Sequence, residues 1–105
     1  MRRLALRIAL IAACCGGPVD AAPVVHKVAI DGFEFRPPVA TVKLGDTVEW
    51  SNADPVPHTA TAKDAGLDSG VIAAGKAFRF TAKRKGRYDY VCTLHPTMKG
   101  TLVVE

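Results

Sequence analysis

From residue 24 to its end the chain alternates apolar and polar residues in short runs, each closed by turn-forming residues. Successive strand side chains face opposite sides of a sheet, so a period of two marks half-buried strands. Residues 24–30 alternate and end at Asp31-Gly32; Phe33-Glu34-Phe35 is a brief extended piece, and Pro37-Pro38 excludes helix beyond it. Residues 39–44 place Ala40, Val42 and Leu44 on one face, Gly45-Asp46 turns the chain, and residues 47–50 end in Trp50, which reads as core. Residues 58–61 are β-rich, residues 62–70 read as an irregular loop, and residues 77–81 put Phe78 and Phe80 on one face. Residues 87–92 alternate again, and residues 100–105 form a closing strand. About eight short strands with no convincing helix predict an all-β fold, an antiparallel sandwich or barrel.

With 105 residues the chain has room for one domain, and 49% hydrophobic against 23% charged residues argues against disorder. The first residues stand apart from the strand pattern. Residues 1–7 carry three arginines and residues 8–13 form a short apolar run, the layout of an export signal. That run is shorter than the ~20 residues a membrane crossing needs. Val19-Asp20-Ala21 offers one processing point, leaving residues 22–105 as the mature domain. Ile11-Ala12-Ala13-Cys14 resembles a bacterial lipobox, which would lipidate Cys14 and tether the domain through Gly16-Gly17-Pro18. Both readings predict an exported, periplasmic protein, attached to a membrane only if Cys14 is lipidated. Cutting after Ala21 removes Arg2, Arg3, Arg7 and Asp20 and leaves 11 basic and 9 acidic residues, a net charge of +2. That balance lacks the basic face a nucleic-acid partner needs. The one concentrated basic run, Lys83-Arg84-Lys85-Gly86-Arg87, reads either as a solvated turn or as a docking site for an acidic partner.

The chemistry sits at the end of the penultimate strand. In Tyr88-Asp89-Tyr90-Val91-Cys92 the period of two puts Tyr88, Tyr90 and Cys92 on the inner face. A lone thiol is unusual in an exported domain, where cysteines are paired or oxidised. His95 follows Cys92 by three residues, and Met98 follows His95 by three. Thiolate, imidazole and thioether together suit copper better than a hard cation. A remote ligand would complete the site. His26 stands among the first ordered residues and reads as a surface histidine, whereas His58 follows a loop stiffened by Pro55 and Pro57. Taken singly, each donor has a structural explanation: a small buried cysteine, a structural histidine, a core methionine. Two His, one Cys and a weak axial Met are also the donor set of a blue-copper electron-transfer centre.

Gly86-Arg-Tyr-Asp-Tyr-Val-Cys-Thr-Leu-His-Pro-Thr-Met-Lys-Gly-Thr-Leu-Val-Val-Glu105 resembles the C-terminal copper loop and last strand of the cupredoxins, nearest their amicyanin and plastocyanin-like branch. Gly45-Asp-Thr-Val-Glu-Trp-Ser-Asn52 and Pro57-His-Thr59 resemble the segment that carries the family's first histidine. The likeness spans residues 24–105. It implies a Greek-key β-sandwich of about eight strands with one copper at the end where the loops gather. It implies His58, Cys92 and His95 as equatorial ligands and Met98 as the axial one. Around them it implies supporting roles for Asn52, which would tie the two ligand loops together unless it is a plain turn asparagine, and for Thr59, Thr93 and Pro96. Leu94, His95 and Pro96 would form a small apolar docking surface, with His95 on the loop as the electron port. Leu94 stands where amicyanin has a proline and Thr97 where it has a bulky aromatic, so the partner is not carried over with the ligand set.

The implied role is a single-electron carrier, not an enzyme. It would act as a monomer between a donor dehydrogenase or cytochrome and an acceptor c-type cytochrome or oxidase. A periplasmic copper carrier or store would use the same donors; such proteins often add Met- or His-rich tracts, and here only Met98 and three scattered histidines follow the leader. The basic run precedes the Cys92 strand and is expected to lie toward the other end of the domain, steering little electron transfer.

Overall fold

Nine strands build two facing sheets: β1 Val25–Ile30, β2 Phe35–Arg36, β3 Val39–Val42, β4 Thr47–Asn52, β5 Thr61–Ala62, β6 Leu67–Asp68, β7 Ala77–Thr81, β8 Gly86–Cys92 and β9 His95–Val104. This computed structural model describes residues 22–105; the leader and both of its processing points lie outside the described residues. One sheet has the order β2-β1-β4-β7 and the other β3-β9-β8-β5-β6. The only helical turn among the described residues is a 3-10 turn at Lys63–Ala65, ended by Gly66 in the left-handed region.

The expected β-sandwich is present, with three corrections. The sheets are mixed, because β1 pairs in parallel with β4 and β3 in parallel with β9. After β1 and β2 the chain crosses to the second sheet for β3 and returns for β4, which therefore enters beside β1 in the same direction. The residue 62–70 loop is partly ordered, since β6 pairs with β5. Finally, the closing strand begins at His95, not at residue 100.

Alternation explains the core. Val28 and Ile30 of β1, Val48 and Trp50 of β4, Tyr90 and Cys92 of β8, and Leu102 and Val104 of β9 are all buried. Tyr90 sits edge-on to both Phe35 and Trp50, with ring centroids 4.7 and 5.4 Å apart, so one aromatic stack joins the two sheets. Tyr90 faces Gly100 across the β8–β9 ladder, and its ring occupies the space a side chain at 100 would need. Burial pushes the Tyr90 phenol up to about 12, with the Trp50 indole offsetting part of the rise.

At one end of the sandwich the carboxylate of Asp46 accepts from the Val24 and Lys43 backbone N–H groups and from the His26 ring. The Val24 N–H bond, with the His26 and Lys43 contacts behind it, draws the Asp46 carboxyl down to about 2. His26 is thus a satisfied, partly exposed histidine, as its position in the chain suggests. The β7–β8 turn carrying Lys83, Arg84 and Lys85 reaches this same end, where Ala82 N–H donates to Asp46 O. The metal-ligand candidates gather at the other end.

Candidate metal centre

Cys92 closes β8 and His95 opens β9 after a two-residue turn. Cys92 pairs with His95 but Val91 pairs with Lys99, a register shift that lets Pro96, Thr97 and Met98 arch out of the ladder. A ten-residue strand this interrupted is hard to foresee, because Pro96 cannot donate to a ladder. The arch leaves Met98 buried while Leu94, Pro96 and Thr97 stay exposed.

His58 arrives on the connection between β4 and β5. It forms a two-bond bridge with Ile72, His58 N to Ile72 O at 3.2 Å and Ile72 N to His58 O at 2.7 Å, and is fully buried. Asn52 shapes the loop before it: its amide donates to Val56 O at 2.8 Å and Ile72 O at 2.9 Å, while its carbonyl accepts from Asp54 N at 2.9 Å. Those bonds close the His58 loop upon itself and upon Ile72; they do not run to the Cys92 loop. Thr59 makes that link. Its N–H donates to Cys92 Sγ at 3.3 Å, and its hydroxyl accepts from Thr93 N at 2.8 Å and meets Thr93 Oγ1 at 3.1 Å.

The donors converge. Cys92 Sγ lies 3.7 Å from Nδ1 of His58 and 3.7 Å from Nδ1 of His95. Two bonds of about 2.0 and 2.3 Å opening at roughly 120° span nearly that distance, so a metal fits between the sulfur and either nitrogen, and all three donor atoms lie within 4.8 Å of one another. His58, Cys92 and His95 are the one group among the described residues whose donors meet this closely. Met98 is close by, buried on the arch.

Two residues that sequence reading passed over complete the site. Asp54 accepts from His58 Nε2 at 2.8 Å, so the outer nitrogen is engaged and Nδ1 is left for metal. Burial raises the Asp54 carboxyl, but the N–H groups of Phe33 and Gly32 and the His58 ring outweigh it and hold it below its ordinary value. Phe33 sits edge-on to both imidazoles, at 5.1 Å from His58 and 4.9 Å from His95. An acid four residues before His58 was the available signal for Asp54. Phe33 had only its place beside the Asp31-Gly32 turn.

A cupredoxin-like family model matches residues 4–104. The chain belongs to the cupredoxin family. Amicyanin from Paracoccus versutus is 35% identical over 96 residues, covering 84% of this cupredoxin and 73% of that protein. Amicyanin-alpha from Methylorubrum extorquens is 32% identical over the whole of both chains. A solved copper(I) structure of an amicyanin mutant superposes with a TM-score of 0.72 at 34% identity, covering 77% of this chain and 82% of that one. Copper is the cofactor of this cupredoxin, and its relatives are electron carriers, not enzymes.

Proposed function

We propose that this chain is an exported single-electron carrier. His58, Cys92 and His95 are its equatorial copper ligands and Met98 its axial one. The observation that carries the reading is the meeting of one thiol and two imidazole Nδ1 atoms, with both S–N separations at 3.7 Å. Copper, when bound, supplies the one-electron Cu(I)/Cu(II) couple; the protein fixes where its donors stand. Thr59 N–H aims at the Cys92 sulfur and stabilises its thiolate form. Thr59 and Thr93 lock the two donor loops together, Asn52 sets the His58 loop, and Pro96 stiffens the arch between His95 and Met98. Because the donors hang from both sheets through separate bonds, little rearrangement accompanies a change of charge.

His95 is the port. His58 and Cys92 are fully buried, whereas the His95 ring is half-exposed beside the apolar Leu94, Pro96 and Phe33. A patch of this size suits a brief encounter with another redox protein, a class of contact burying less than about 1,200 Å². In this reading the partners are a donor dehydrogenase or cytochrome and an acceptor cytochrome c or oxidase, and the domain works in the periplasm as a monomer, either free after removal of residues 1–21 or held by lipid where the leader ends before Cys14.

The test is a Cu(II) titration of residues 22–105 followed by visible absorption and EPR, with Cys92→Ser as control. A strong thiolate-to-copper band saturating at one equivalent and lost in the control is expected. A weak band, or one that survives Cys92→Ser, would refute the assignment.

A further inference from the structure

The structure assigns Asp54 and Phe33 a joint role as a positioning latch: one buried carboxylate fixes the His58 ring and seats the Phe33 ring against His95, restraining the half-exposed histidine. This rests on reading His58 and His95 as metal donors. Gly32 and Phe33 are consecutive residues in the left-handed region, with φ of 63° and 60°. Such a conformation is rare for a bulky side chain. It turns two successive N–H groups toward one point, the geometry of an anion-binding nest. The Asp54 carboxylate sits there, accepting from Gly32 N at 2.7 Å through Oδ1 and from Phe33 N at 2.9 Å through Oδ2. The same Oδ2 accepts from His58 Nε2 at 2.8 Å.

One oxygen therefore serves the Phe33 backbone and a metal-donor ring together, and Asp54 is only 5% exposed. From that anchorage the Phe33 ring stands nearly perpendicular to both imidazoles, at 88° to His58 and 83° to His95, while the imidazoles themselves are 4.9 Å apart. The three rings form a closed triangle. The His58 backbone is held by its bridge to Ile72 and its ring by Asp54, whereas the His95 ring meets Cys92 Sγ, Phe33 and His58 and, among the described residues, has no such acid on its outer side. The Phe33 ring is thus a restraint on His95 that side-chain truncation removes while the Phe33 N–H bond to Asp54 stays. The left-handed pair also closes the two-residue β1–β2 turn, in which Asp31 and Glu34 exchange both backbone hydrogen bonds; a merely apolar contribution to the surface would not need the buried acid.

Phe33→Ala, Phe33→Leu, Asp54→Asn and the Phe33→Ala/Asp54→Asn double variant test this in the full domain. The His95 ring is followed by NMR in the metal-free protein, and transfer of bound Cu(I) to excess bicinchoninate is timed in the loaded protein. Phe33→Ala is expected to replace a single His95 rotamer by averaged signals. It should speed Cu(I) transfer three- to tenfold, the factor corresponding to loss of one edge-to-face aromatic pair. Phe33→Leu, which keeps bulk and the fold, should fall between it and the parent. Asp54→Asn should also loosen His95, which it does not touch, and the double variant should loosen it no further than Phe33→Ala alone. A single His95 rotamer together with a transfer rate within twofold of the parent in both Phe33 variants would overturn the latch. So would additive effects in the double variant. The NMR readout needs no metal, so failure of the copper-ligand reading would show separately, as copper binding that survives Cys92→Ser.

Discussion

Asn52→Ala is the perturbation that most directly asks what holds the first histidine in place. Asn52 is 2% exposed and makes three hydrogen bonds, two given by its amide and one taken by its carbonyl. Truncation leaves Asp54 N buried without its partner, while Ile72 O keeps the His58 N–H and Val56, half-exposed, regains water. A net bond contributes about 1 kcal/mol, and the one orphaned buried group adds about 1–3 kcal/mol, so the loss is about 2–4 kcal/mol. That is a large part of the ~5–15 kcal/mol available to a small domain. Guanidinium denaturation of the metal-free protein, followed by circular dichroism, isolates this effect from copper binding. With a slope of roughly 3–4 kcal/mol/M the midpoint should fall by about 1 M. Asn52→Asp keeps the acceptor for Asp54 N but turns a second carboxylate oxygen toward two carbonyls, and should be no better than alanine. A loss under about 1 kcal/mol for Asn52→Ala, or a stable Asn52→Asp, would refute the reasoning, because bonds that strong cannot be idle.

Three further outcomes are expected. Gly100→Ala forces a Cβ into the Tyr90 ring, and since Tyr90 is buried between Phe35 and Trp50 it has nowhere to move; a loss of about 2–3 kcal/mol and a Tm drop of ~10 °C or more should appear in a thermal melt. Asp46 has its carboxyl lowered to about 2 from 3.8, so its stabilisation is fully present above pH 4 and is lost as pH falls through the folded value. Melts between pH 4.5 and 2 should therefore fall less steeply for Asp46→Asn than for the parent; parallel curves would count against the carboxylate. Reversing Lys83, Arg84 and Lys85 to glutamate should change the rate of oxidation by ferricyanide less than twofold at 0.1 M ionic strength. The strand from Gly86 to Cys92 places that turn some 20 Å from the sulfur, about two Debye lengths.

Legibility of the molecule tracked the range of the interactions involved. The inner face of Tyr88, Tyr90 and Cys92, the buried Trp50 and the donor run Cys92, His95 and Met98 were readable because period and spacing are local properties. Parallel pairing of β1 with β4 leaves no local mark, since the direction of return is decided by where β3 docks. Thr59 could be placed from its neighbour His58, and the structure gives it the bridge to Thr93. Asp54 could not be singled out between Ala53 and Pro55, because its partners Gly32 and Phe33 lie more than twenty residues away. Phe33 read as an extended residue, whereas it is the second central residue of the tight β1–β2 turn; the carboxylate that its N–H meets was invisible from its own neighbourhood.

The parallel pairing of β3 with β9 also governs when the centre comes into being. Val39 sits against Thr101, 62 positions later, and Glu105 closes onto Val42 and Leu44 at the far end. Contacts of such separation are slow to form, because the loop-closure entropy must be overcome before they stabilise anything. The strand that carries His95 and Met98 is therefore seated only once almost the entire chain is present. Copper that meets an unfinished chain finds Cys92, His95 and Met98 within seven residues, free to chelate in any arrangement; copper that meets the finished domain finds the donor atoms of His58, Cys92 and His95 already together. His58 is the one of these that joins only when the two sheets have met.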